Sequence, residues 1–131
     1  MPTADRTLLI VERAYRGAVE DQFADVLYFV HGLHRQSGGV ELALRGAAAG
    51  YAVLPDRPPA LRVAGRLLGT LPDPRRSVQL LLDDGVAVWT EEPDLLALGP
   101  TAPARLIPGV RCLAADEVTA RWPSYARVWF F

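Results

Sequence analysis

The chain of 131 residues contains no lysine, no asparagine and a single cysteine, Cys112. Without lysine there is no side-chain amine for Schiff-base chemistry and no Walker-type phosphate lysine. One cysteine excludes an internal disulfide and fits a reducing cytoplasm, the expected location. The fourteen basic residues, all arginine, face fifteen acids for a net charge of -1. No basic field therefore invites nucleic acid, and no polybasic segment invites an anionic membrane. No apolar run approaches the roughly 18 to 20 residues of a membrane span. The opening MPTADR lacks the basic-then-apolar layout of a secretory leader. A G-x-S-x-G elbow is absent, and Ser37, Ser77 and Ser124 have no evident base partner.

What is present is ordinary globular material: half the residues are apolar and 22% are charged. That supports a core of useful size and one domain spanning 1–131. Residues 7–11 (TLLIV) form a short apolar run of the kind buried on both faces of a parallel sheet. Val19, Phe23, Val26, Leu27, Val30, Leu33 and His34 then recur at spacings of three and four, the stripe of an amphipathic helix. Ser37, Gly38 and Gly39 end it. Residues 40–44 (VELAL) read as a second strand, 47–53 as a short helix, and 60–71 as another short helix interrupted by Gly65 and Gly69.

From Ser77, a plausible N-cap, a brief helix would turn Val78, Leu81 and Leu82 inward and stop at Gly85. Residues 86–90 (VAVWT) form a third strand, and 91–98 a short helix with Pro93 in its first turn and Gly99 after its end. A fourth strand at 110–113, a helix at 115–122 stopped by Pro123, and a fifth strand at 126–131 complete the chain. Alternating strands and helices predict an α/β domain with three layers, α/β/α, around a five-stranded, mainly parallel sheet.

In such a sheet ligands bind beyond the carboxyl ends of the strands. Arg13, Tyr15, Arg16 and Gly17 follow the first strand, while Trp89, Thr90 and Glu91 end the third. Together they form the candidate ligand loop. Arg13, Tyr15, Arg16 and Thr90 would suit a small molecule or anion. His31 and His34 share a helix face but lack a third metal ligand, so one partly packed and one solvent-facing histidine are expected. Cys112 lies within the fourth strand, where a thiol is usually a small buried hydrophobe with a raised pKa. Neither metal nor cofactor is expected.

The run DDGVAVWTEEPDLLALG at 83–99 resembles the DsrE/DsrF/DsrH family, the TusD/TusC/TusB sulfur-relay subunits. Such proteins carry a G-V-x-V strand, an acidic or cysteine-bearing turn, and a short helix ending in glycine. LIPGVRCL at 106–113, the start of a helix at Asp116, Glu117 and Val118, and the aromatic VWFF at 128–131 extend the likeness, closest here to the DsrH/TusB branch. The beginning, with Ala14, Tyr15, Arg16 and Gly17 after the first strand, is more similar to DsrE-like members.

The resemblance implies a DsrE-like, flavodoxin-like arrangement and an intracellular protein that forms homo- or hetero-oligomers with subunits of that family. A sulfur-carrier protein is a further implied partner. Active members bear a persulfide on a cysteine just after the G-V-x-V strand. Here Trp89, Thr90, Glu91 and Glu92 occupy that place. A hydroxyl cannot carry a persulfide, and a carboxylate pair would repel an incoming thiolate. The expectation is a non-catalytic accessory subunit that acts through assembly, with Trp89, Trp122, Trp129, Phe130 and Phe131 supplying aromatic surface. The alternatives are an anion-binding domain and a sulfurtransferase using Cys112.

Overall fold

The computed structural model describes residues 6–12, 26–54, 61–68 and 74–131. Its centre is a sheet of five parallel strands: β1 (Thr7–Val11), β2 (Val40–Leu44), β5 (Ala87–Glu91), β6 (Arg111–Leu113) and β7 (Arg127–Phe130), in the spatial order β6-β5-β2-β1-β7. The expected five-stranded α/β architecture is thus the observed one. β1 and β2 are buried at every position, as strands covered on both faces must be. Each of the first three steps moves to the adjacent strand, and only the last, from β6 to β7, returns across the sheet to lie beside β1.

One face of the sheet carries the larger core. Leu9, Val11, Leu42, Leu44 and Val88 point to it, and the helices α1 (Val26–Ser37) and α2 (Pro74–Asp83) cover it with Leu27, Val30, Val78 and Leu81. The 3-10 segment Gly46–Ala52 adds Ala48 and Ala52. Alternation sends Leu8, Ile10, Ala43 and Trp89 to the other face, where they meet Val118 and the half-buried Trp122, Tyr125 and Val128. That cover consists of one helical turn, α4 (Glu117–Ala120), and a 3-10 turn at Trp122–Ser124. Between β5 and β6 lies α3 (Glu92–Leu98), which buries Leu95 against Ala49, Val53 and Ala102.

Several boundaries differ from expectation. Within the stretch 60–71 the described residues, 61–68, are not a helix: β3 (Leu61–Val63) and β4 (Arg66–Leu68) form an antiparallel hairpin. Its two turn residues, Ala64 and Gly65, both have positive φ, +51° and +79°. Two successive positive φ values suit the tight hairpin turn and cannot continue a right-handed helix. α2 begins at Pro74, three residues ahead of Ser77, because proline is well suited to a helix's first turn. Its end at Gly85, φ +83°, is as expected. The helix expected over 115–122 shrinks to α4, and Pro123 sits inside the 3-10 turn that follows. Residues 19–25 of the first helical stripe lie outside the described residues.

Candidate functional site

Of the expected ligand loop, Arg13, Tyr15, Arg16 and Gly17 lie outside the described residues. Trp89, Thr90 and Glu91 are buried, and each has its polar group committed inside the fold. The Thr90 hydroxyl donates to the Arg111 carbonyl at 3.4 Å, which leaves it poorly placed to hold a ligand. Glu91 accepts a hydrogen bond from the Val118 N–H at 3.0 Å and pairs with Arg45 at 3.4 Å. It thereby ties the end of β5 to the first turn of α4. With its charge already met, Glu91 does not join Glu92 as the repelling carboxylate pair anticipated from sequence.

Cys112 is exposed, contrary to the expected burial. The strand order explains why: among the described residues only β5 pairs with β6, which leaves the thiol's strand at the edge of the sheet. Its register partner is Thr90. Partial burial of the sulfur and the nearby Glu92 carboxylate push the thiol up, against a hydrogen bond from Thr90. The thiolate is accordingly disfavoured, although the sulfur is accessible.

His31 and His34 do not divide into one packed and one solvent-facing side chain. Both are partly buried and both reach the α2–β5 turn, His31 bonding the Asp84 carboxylate and His34 Nε2 lying 3.2 Å from the Asp84 carbonyl. Arg35 adds an ion pair to Asp84 at 3.5 Å. The His31 hydrogen bond is the main cause that lowers the Asp84 carboxyl below its ordinary range. Among the described residues no group of three or more potential ligands could hold a metal ion.

A different polar constellation lies on the thinly covered face. Glu41, second residue of β2, is buried although a carboxylate is rarely so unless paired. Its Oε1 accepts from Trp89 Nε1 at 2.9 Å and from the Tyr125 hydroxyl at 2.8 Å, and its Oε2 accepts from Arg6 Nη1 at 2.8 Å. Burial and the Glu41 carboxylate hold the Tyr125 phenol well above its usual range. The guanidinium carbons of Arg111 and Arg121 stand 5.1 and 4.6 Å from the Trp89 ring centre. Arg6, Glu41, Trp89, Arg111, Arg121, Ser124 and Tyr125 line a cavity of about 220 Å³. Of these, sequence reasoning had singled out Trp89 as part of a ligand loop, and had noted Ser124 merely as lacking a base. The available signal was Glu41 itself, a lone charge within an apolar strand.

No family model matches the chain, and no curated protein matches it in sequence. Solved structures do. The YchN protein from E. coli superposes with a TM-score of 0.73 over 97% of this chain and 99% of that one, at 19% identity. The chain has the YchN fold. MTH1491 from Methanobacterium thermoautotrophicum, a protein of unknown function, is similar with a TM-score of 0.63 and 14% identity, over 95% of this chain and 98% of that one. These likenesses establish the architecture shared across nearly the whole of each chain. Within the YchN fold, the Glu41 cavity lies on a sheet face, and the carboxyl-end residues 89–91 are structural in their contacts.

Proposed function

We propose that the chain is a non-catalytic, accessory DsrE/DsrH-like subunit that works by associating with a second copy or with related subunits in a sulfur-relay system. The observation that carries this reading is the edge strand β7. On β7 Trp129 and Phe130, and just after it Phe131, remain 42%, 54% and 39% exposed, flanked by the exposed Phe29 and the half-buried Trp122. Among the described residues no strand pairs with the outer side of β7. An edge strand with large aromatics on both faces is a surface that association would bury. The DsrE-like run at 83–99 and the YchN fold support the family side of the proposal. The tethering of Thr90 and Glu91 supports the accessory role.

Light scattering tests association. The wild type is expected to exceed monomer mass at micromolar concentration, and a Trp129→Glu, Phe130→Glu variant is expected to fall to monomer. A wild type that stays monomeric, alone and with DsrE-type subunits, overturns the proposal. One observation favours a second reading: exposed Cys112 stands beside Thr90, next to the place where active family members bear their persulfide. Incubation with a persulfide donor should leave the intact mass unchanged. A one-sulfur increase that disappears in Cys112→Ser would establish a sulfurtransferase instead.

A further inference from the structure

We infer that the cavity over Trp89 binds a small oxyanion, of the phosphate or sulfate class, between the guanidinium groups of Arg111 and Arg121. The argument begins with the balance of charge. Three arginines and one glutamate line the cavity. Arg6 and Glu41 form an ion pair at 2.8 Å and neutralise each other. Arg111 and Arg121 are exposed, and among the described residues neither has a carboxylate within ion-pair distance. The cavity therefore keeps an excess of two positive charges.

Geometry agrees with that excess. Both guanidiniums lie against the Trp89 ring, at 4.6 and 5.1 Å from its centre. Contact with an aromatic ring restrains a guanidinium and leaves its N–H donors available for a planar or tetrahedral oxyanion. Trp89 is itself fixed, its indole N–H donating to Glu41 at 2.9 Å from the buried floor. The two cations are thus held by a rigid plate, which reduces the ordering cost of binding.

Cations fit less well. Glu41 already receives three hydrogen bonds, from Trp89, Tyr125 and Arg6, so it offers little to an amine or a metal ion. The Ser124 hydroxyl donates to the Arg121 carbonyl at 2.6 Å. Size narrows the ligand further. About 220 Å³ lies below the roughly 300 Å³ at which pockets for drug-sized ligands begin. A phosphate, a sulfate or a small phosphomonoester fits, and a nucleotide does not.

Calorimetry with inorganic phosphate, and the amide–indole NMR spectrum of the same titration, test this site. Phosphate should bind and shift the Trp89 indole N–H, identified by its loss in Trp89→Phe. Arg111→Gln and Arg121→Gln should each weaken binding about tenfold or more, as expected for removing a charge-assisted contact. Both side chains are exposed, and circular dichroism checks that each variant is folded. Glycerol phosphate run in parallel separates a phosphomonoester site from an inorganic-anion site by which binds more tightly. The inference is overturned if phosphate does not bind, if the variants bind as well as the wild type, or if chloride at matched ionic strength gives the same indole shift.

Discussion

Replacing Glu41 by leucine isolates what the buried carboxylate contributes. The substitution removes an acceptor from three donors at once. The Trp89 N–H sits in a buried side chain, so leaving it without a partner costs about 1–3 kcal/mol. The Tyr125 hydroxyl borders the cavity, where water can replace the lost acceptor, so its share is at most about 1 kcal/mol. Arg6 has a side chain 46% exposed, and its pair with Glu41 is worth less than about 1 kcal/mol. Relief from burying a carboxylate offsets part of this. The expected net loss is about 2–4 kcal/mol, a large share of the roughly 5–15 kcal/mol that stabilises a domain. That corresponds to a fall in Tm of roughly 8–15 °C for a chain of this length. Glu41→Gln keeps an acceptor oxygen for Trp89 and Tyr125 and should lose only about 1 kcal/mol. Urea unfolding followed by far-UV circular dichroism measures both. In a Trp89→Phe background no N–H is stranded, so the Glu41→Leu penalty should shrink by about 1–3 kcal/mol. A leucine variant as stable as the wild type, or an equal penalty in both backgrounds, would refute the reasoning.

Three further outcomes are expected. Tyr125 has its phenol raised by burial and by Glu41, so the stability it contributes is full below the unfolded value near 10 and is lost as pH rises through the folded one. The difference in phenolate absorbance between wild type and Tyr125→Phe should stay flat until alkaline unfolding, and a reversible titration in that difference while the protein is folded would contradict this. Asp84 is lowered by its His31 hydrogen bond, so its contribution is present above its ordinary value of 3.8 and fades as pH falls through the folded pKa. The stability gap between wild type and Asp84→Asn should therefore close in acid, and a gap independent of pH would count against it. Ala64, at φ +51° in the hairpin turn, should be improved by asparagine, with a gain of about 0.5–1 kcal/mol in thermal or urea unfolding.

The parallel strands were legible because buried strands are short apolar runs that stop at charged residues or glycine, as 7–11 does between Arg6 and Glu12 and 40–44 between Gly39 and Arg45. The hairpin at 61–68 was not, since three-residue strands are too short to show alternation and the turn lacks the asparagine–glycine pair that announces one. Cys112 was misplaced for a topological reason: its exposure depends on β6 being an edge, and strand order is written nowhere in local sequence. The Glu41 constellation escaped for the same kind of reason. Its partners Arg6, Trp89 and Tyr125 lie 35, 48 and 84 positions away along the chain. Only the anomaly of one glutamate in an apolar strand pointed there.

Chain length explains why that constellation has a cavity above it. The connection from β6 to β7 comprises residues 114–126 and must cross four interstrand steps, about 19 Å, while also returning along the strands to start the next parallel one. A continuous helix of thirteen residues reaches only about 20 Å and could not do both. The chain resolves this by confining helix to Glu117–Ala120 and Trp122–Ser124 and breaking it with turns at Ala115, Asp116 and Arg121. A connection broken into single turns covers less of the face than α1 and α2 cover on the other. The cavity falls over the buried Trp89 and Glu41, in the second and third strands from the β6 edge. The same economy of chain that shortened the expected helix at 115–122 therefore leaves room for the cavity, with Arg111 contributed from β6 and Arg121 from the turn between α4 and Trp122–Ser124.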